Sequence, residues 1–438
     1  MGVFDPLMAE VADLRPVRRF GRLTDIRGGV AVAEGLAHWA RLGDRVVMTM
    51  RSGRTLAGEI VALGRKGVEI LPDGAVEGVA VGDRVEHLGM NAIAPCDAWI
   101  GRVIDPYGQP LDGRPVPRGL VPRPVGNAPP SAARRRRLGA RLATGLDAFN
   151  ALLPLVQGQR MGLFAGSGVG KTMLLGQLAR TVEADLVVLA LVGERGRELR
   201  DFVEDVLGSE GLKRAVVVTA TSDRSALARR RAALSAMAVA EHFRDQGRHV
   251  LLLCDSITRF AEAHREIALS AGEAPSLRGF PPSVAHQIMA LAERAGPGEE
   301  AEGQGDITAL FTVLVAGSDM EEPVADILRG VLDGHVVLER SIAERGRFPA
   351  VDLLRSVSRS LPGAASPGEN ALIAEARRLL GAWERAEMMV QAGLYAAGSD
   401  PLTDRAIKLW PKLDAFLAGT KADSVAGSFR RLQKVLDG

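Results

Sequence analysis

Met161-Gly-Leu-Phe-Ala-Gly-Ser-Gly-Val-Gly-Lys-Thr172 is the stretch on which the reading of this 438-residue chain turns. Met161–Phe164 is a short apolar run of strand type, and a helical pattern extends from Gly170 to Val182. Between them lie Ala165, Gly166, Ser167, Gly168, Val169, Gly170, Lys171 and Thr172, a glycine-rich loop in the strand–loop–helix context that phosphate binding requires. Glycines let successive backbone N–H groups converge on phosphate oxygens, and the following helix adds its positive N-terminal end. Lys171 is expected to reach the β- and γ-phosphates of ATP, and the Thr172 hydroxyl to ligate Mg²⁺. The strict pattern opens on Gly where this chain has Ala165, a change the backbone tolerates if φ is negative there.

Outward from the loop, strands and helices alternate. Strand candidates Leu186–Val192, Ala215–Thr219, Val250–Cys254, Ile307–Val315 and His335–Leu338 are interleaved with helical patterns at Glu198–Leu207, Ser225–Asp245 and Ile257–Leu269. Alternation of this kind predicts a largely parallel sheet covered by helices on both faces. Upstream, short β-rich runs (Val46–Met50, Thr55–Leu63, Gly67–Leu71, Arg84–Leu88) broken by Ser52-Gly53 and Asp73-Gly74 turns predict a small β-barrel or sandwich. After Pro362 the texture is helical, over Ala371–Gln391 and Asp404–Leu417. The expected division is a helix at 1–20, a β-barrel at 21–92, the α/β nucleotide domain at 93–360 and a helical domain at 361–438. In the first segment Leu7, Val11 and Leu14 recur at helical spacing.

The bulk numbers bound the partners. A formal charge of only +2 gives no global field for nucleic acid or anionic membrane. The basic run Arg134–Arg137 has no interleaved aromatics for base stacking, so no nucleic-acid partner is expected. The longest apolar runs are buried-strand length and too short to cross a bilayer. Cys96 and Cys254 match no zinc spacing or disulfide framework, which fits a reducing cytoplasm. Membrane association, if any, is expected only through partner proteins.

Three further stretches bear on chemistry. His249–Asp255 is an apolar strand delivering a carboxylate at its C-terminal end, where Mg²⁺ binding through water needs one. Taken alone, Asp255 is as readily a turn former. Glu194, after the strand Leu186–Val192, sits where a general base would polarise water. Spacing alone favours an exposed charge cluster, Gly193–Glu198, capping the next helix. An arginine within Arg347–Arg359 could serve as a finger on another subunit's nucleotide, or be merely solvated.

Together these residues resemble the rotary-type hexameric ATPase superfamily, which holds the F- and V-type subunits and the type III export ATPases. Pro349–Ser358 (PAVDLLRSVS) resembles the superfamily signature. Within it, the AGSGVGKT loop is most similar to that of the flagellar protein-export ATPases. The same holds for Ala133–Phe164, Leu191–Asp205, Leu332–Leu338 (LDGHVVL) and Gly393–Ile407, so the likeness runs from about residue 25 to the end.

The resemblance implies a RecA-like central domain and an ATP hydrolase that energises flagellar protein export as a homo-hexamer. It assigns Glu194 to the lytic water, Arg195 to a neighbouring site arginine, Asp255 to the metal through water and Arg259 to γ-phosphate sensing. Arg359 is implied as a finger given to the adjacent subunit, and Phe348 as the aromatic that packs on adenine. Met173 closes the nucleotide-binding run. Implied partners are a regulatory, stator-like dimer at the N-terminal helix and a coiled-coil stalk protein facing the loop Gly272–Pro282. The export gate, chaperones and flagellar substrates complete the set, at the inner membrane's cytoplasmic side. An injectisome ATPase, a hexameric helicase, a synthase subunit and a non-catalytic nucleotide-binding subunit remain alternatives.

Overall fold

The computed structural model describes residues 4–65, 67–315 and 320–438. Helix α1 (Asp5–Asp13) opens the chain. It is shorter than the expected 1–20, because Pro16 cannot donate a helical hydrogen bond and disfavours helix in the residue before it. By Arg19 the chain has already entered a strand.

Strands β1 (Arg19–Arg27), β2 (Val30–Glu34), β3 (Arg45–Thr49), β4 (Thr55–Gly64), β5 (Gly67–Pro72) and β6 (Arg84–Gly89) form a closed barrel in the order β1-β2-β5-β4-β3-β6. Alternate residues turn inward, so Val46, Met48, Ile60, Val68, Ile70 and Val85 fill the interior, and closure leaves no free edge. Two-residue strands β7 (Ala92–Ile93) and β9 (Arg123–Pro124) pair with each other beyond it.

The central sheet holds β8 (Arg102–Ile104), β10 (Arg160–Ala165), β11 (Leu186–Glu194), β12 (Ala215–Thr221), β13 (Val250–Asp255), β15 (Asp306–Leu314), β16 (Gly334–Leu338) and β17 (Val351–Ser358). Their order is β17-β16-β10-β15-β13-β11-β12-β8, with β14 (Gly296–Pro297) paired beside β15. Neighbours run parallel except at β16–β17 and β14–β15. The near-continuous aliphatic sequences of β11, β12 and β13 follow from burial on both faces.

Helices α2 (Lys171–Thr181), α3 (Gly196–Asp201), α4 (Gly208–Leu212), α5 (Ala226–Arg244), α6 (Ile257–Ser270), α7 (Pro282–Arg294), α8 (Pro323–Val331) and α9 (Arg340–Glu344) flank the sheet. The helix expected over Glu198–Leu207 starts earlier and becomes a π-turn from Phe202 onward. The chain closes with α10 (Pro367–Gln391), α11 (Pro401–Leu417) and α12 (Val425–Asp437). Ser366 and Glu369 cap the start of α10 reciprocally, which fixes where the helical region begins. Bonds from Arg431 to Asp147 (2.7 Å) and from Asn150 to Ser428 (3.3 Å) join these helices to the central body.

The barrel is joined to the same body by Arg230–Glu59 and by Asp73, which accepts from Tyr107 and Ser225. Among the described residues no helix is long and apolar enough to cross a membrane.

Candidate nucleotide site

Parallel pairing brings the C-terminal ends of β10, β11 and β13 to one edge of the sheet, and ligands of open α/β sheets bind in the crevice at such an edge. Leu191 pairs with Asp255, and Ala165 with Leu314, so the loop, Glu194 and Asp255 lie side by side. Gly168 and Gly170 take φ of +77° and +85°, a region a Cβ disfavours, and α2 starts at the next residue. Among the described residues Arg278 alone of the non-glycines has positive φ, so Ala165 stands in ordinary strand geometry and its replacement of Gly carries no strain.

Asp255 is buried at the end of β13. Its Oδ1 accepts from Lys171 Nζ at 2.5 Å and from Thr312 Oγ1 at 2.6 Å. Thr312, a buried hydroxyl inside the apolar strand β15, has no marker in the sequence: the run carries two buried threonines, Thr308 and Thr312, and only the strand register shows which one meets Asp255.

Glu194 ends β11 and borders two cavities. One, of about 470 Å³, is lined also by Ser167, Arg195, Glu198, Ser222, Arg229 and Arg259. The other, about 230 Å³, adds Thr172, Leu191 and Asp255. Burial pushes the Glu194 carboxyl up to about 7; the Asp255 charge adds to this, the Lys171 charge opposes it, and a hydrogen bond with Glu198 raises it further. Glu198 thus belongs to the site, where sequence spacing offered only a helix cap.

The other residues sort by distance from this centre. Arg259 lies against Gly193, beside Glu194, and donates to Glu262 at 2.8 Å. Arg195 is largely exposed on the cavity rim and pairs loosely with Glu198 at 3.8 Å. Phe348 is half-exposed with its ring against Gly170, where a Cβ would stand 3.0 Å from it. Met173 points to solvent in the first turn of α2 and lines neither cavity.

Arg359 is elsewhere. Antiparallel β17 starts at the loop edge, where Val351 pairs with Leu338, and ends at Ser358 opposite Gly334. Leu338 is level with Ala165, so Arg359, level with Asp333 five residues back, emerges at the far edge, about 16 Å lower at some 3.3 Å per residue. The structure does not bring it to the site of its own chain.

A larger cavity, about 590 Å³, lies between β17, α9 and the C-terminal helices, and none of the loop residues lines it. In the basic run, Arg134 and Arg136 pair with Glu299 and Asp306, and Arg135 donates to the Ala295 carbonyl. These three arginines brace the body of the domain.

The chemistry at the loop edge is that of a phosphate cradle, an acid with oxygen donors and a poised base. Comparison with known proteins is in keeping with it. Residues 145–358 match the model of the ATP synthase alpha/beta family, nucleotide-binding domain, and residues 365–433 that of the T3SS EscN ATPase C-terminal domain. A flagellum-specific ATP synthase of Caulobacter vibrioides is 45% identical over 437 residues, 98% of this chain and 98% of that protein. The chain belongs to the family of flagellum-specific ATP synthases.

As a member of that family it is an ATP-hydrolysing P-loop enzyme of type III export. The assembled ATPase EscN from the enteropathogenic E. coli type III secretion system superposes with a TM-score of 0.86 at 36% identity, covering 95% of this chain and all of EscN. EscN in complex with its central stalk EscO gives 0.85 at 37% identity over the same shares. The expected fold, an N-terminal barrel, a mostly parallel RecA-like centre and C-terminal helices, is the fold observed. An injectisome ATPase agrees with these neighbours too, but fits no better than a flagellar one.

Proposed function

We propose that this flagellar-type export ATPase works as a homo-hexameric ring in which each nucleotide site is completed by the next subunit. The observation that carries this is the position of Arg359: every other charged site residue gathers at the loop edge of the sheet, and Arg359 leaves from the opposite edge. A chain with a pocket at one place and a finger at another implies a head-to-tail interface, and head-to-tail interfaces close into rings. EscN is described as assembled, which supports the reading.

In the proposed reaction Glu194 takes a proton from the attacking water, which enters in line with the bond to the leaving ADP. Lys171 and the neighbour's Arg359 neutralise the developing charge on the γ-phosphoryl group. Arg259 and Arg195 border the same space, and Phe348 offers the adenine face. Thr172 and Asp255 both line the smaller cavity and present hard oxygen donors of the kind Mg²⁺ takes. Mg²⁺ held there would supply positive charge to the phosphates.

In the wider assembly, the barrel at 21–92, the nucleotide domain at 93–360 and the helices at 361–438 are assigned as separate domains. Residues 1–20 are assigned as the dock for a dimeric regulator; exposed Leu7, Val11 and Leu14 support this. A coiled-coil stalk in the pore, by analogy with EscO on EscN, faces the loop Gly272–Pro282. The export gate, chaperones and flagellar substrates are the remaining partners, with the ring held on the cytoplasmic side of the inner membrane through them. Arg359→Ala is the test: turnover should fall about 10³–10⁵-fold with ATP affinity nearly unchanged. Retained turnover would sink the shared-site reading.

A further inference from the structure

We infer that the ion pair between Asp333 and Arg160 is a positioning device for Arg359, one that ties the finger a subunit lends to the strand carrying that subunit's own phosphate loop. The inference rests on the reading of Arg359 as a finger.

Asp333 follows α8 and is held to Arg160 four times. Its N–H donates to the Arg160 carbonyl at 2.9 Å, and Arg160 N–H returns a bond to Asp333 Oδ2 at 3.0 Å. The Arg160 guanidinium then donates from Nε to Oδ2 and from Nη2 to Oδ1, each at 3.1 Å. That is the planar, two-pronged geometry in which an arginine fixes a carboxylate in orientation as well as position. Glu293 pairs with the remaining Arg160 nitrogen at 2.6 Å, so the guanidinium itself is held from two sides.

The clamp acts on the finger through the Asp333 carbonyl. It accepts the Arg359 backbone N–H at 2.9 Å and Gln159 Nε2 at 3.1 Å. Gln159 Nε2 also reaches Ser358 Oγ at 3.0 Å, and Ser358 donates to the Pro154 carbonyl at 2.7 Å. The root of the finger is therefore fixed, and Ser358 is buried. Its tip is not. The Arg359 guanidinium is exposed and donates to the Arg329 carbonyl at 3.0 Å, in the last turn of α8, where helix polarity favours a cation. Among the described residues no carboxylate pairs with it, so the side chain can leave without breaking an ion pair.

Arg160 is the first residue of β10, and Ala165, the last, begins the phosphate loop. The clamp and the subunit's own nucleotide site thus occupy the two ends of one six-residue strand. A displacement of about 1 Å at a reacting group costs on the order of 10²-fold in rate. Loosening the root of Arg359 should cost turnover on that scale, less than deleting the guanidinium.

The test is genetic complementation in rings assembled from co-expressed full-length subunits. Asp333→Ala should lower kcat about 10- to 100-fold in assembled rings, with ATP affinity close to the parent. Rings mixed from Asp333→Ala and Lys171→Ala subunits should recover activity, because intact pockets of the first meet intact fingers of the second. Rings of Asp333→Ala with Arg359→Ala should not recover, since no subunit supplies a good finger. Full activity of Asp333→Ala, or recovery when it is mixed with Arg359→Ala, would overturn the inference. If Lys171→Ala and Arg359→Ala themselves fail to complement, the finger reading has failed instead, which keeps the two outcomes distinct. Should Asp333→Ala not fold, Asp333→Asn, which keeps the shape and one acceptor, should fall in the same complementation group with a smaller loss of kcat, and unchanged kcat in it would overturn the inference.

Discussion

The pH dependence of turnover gives a demanding test of the base assigned to Glu194. Its carboxyl is pushed up to about 7, first by burial, then by the Asp255 charge, against the pull of Lys171. A general base works deprotonated, and kcat/KM reports the free enzyme. The rate should therefore rise with pH and level off above about 7. For a group titrating near 7, about a tenth is in the base form at pH 6 and about nine-tenths at pH 8. kcat/KM measured by phosphate release from pH 5.5 to 8.5 at saturating Mg²⁺ should show this limb. Glu194→Gln should lower kcat about 10²–10⁴-fold and abolish the limb. A limb belonging to the nucleotide would persist in the Gln variant. A flat parent profile down to pH 5.5, or a limb that survives in Glu194→Gln, would refute the assignment.

Other expectations follow from particular contacts. Glu241 and Arg294 form a bidentate pair at 2.7 and 2.8 Å with side chains only 1% and 2% exposed. Glu241→Leu alone should cost about 3–5 kcal/mol in thermal or denaturant unfolding by leaving a buried charge, and adding Arg294→Met should recover much of it. Gly170→Ala places a methyl at φ +85°, 3.0 Å from the Phe348 ring. It should cost about 1–2 kcal/mol of backbone strain and weaken ATP binding, read by calorimetric unfolding and nucleotide titration. Thr172→Val should shift the Mg²⁺ requirement for hydrolysis at least about tenfold while leaving ATP binding in EDTA nearly intact, a change of roughly 1.4 kcal/mol.

Much of the architecture was legible because its signals are local. Strands β11, β12 and β13 are buried on both faces and read as unbroken aliphatic runs, and the loop at Ala165–Thr172 carries its context with it. Strands β1, β2, β8 and β17 did not stand out. β1 exposes most of its residues to solvent on one face, so arginines and Asp25 interrupt its pattern. β17 is an edge strand with exposed Arg355 and Val357, so its alternation is broken by charge and does not stand out as a strand. α12 is hard to read in the sequence because only Phe429, Leu432 and Leu436 mark its buried face among many polar residues. At the site, Lys171, Thr172 and Asp255 follow from the phosphate and metal chemistry. Thr312 and Glu198 do not, because their roles arise from register between strands and from a helix start. Where Arg359 stands relative to its own pocket is a property of antiparallel β17, and no spacing along the chain encodes it.

The central claim is that one chain holds an incomplete site. Its most direct measurement mixes two inactive variants in one ring, Lys171→Ala with an intact finger and Arg359→Ala with an intact pocket. If the site is shared, phosphate release should reappear in mixed rings and peak near equal proportions of the two. Absence of recovery at every mixing ratio, with both variants assembled, would contradict it.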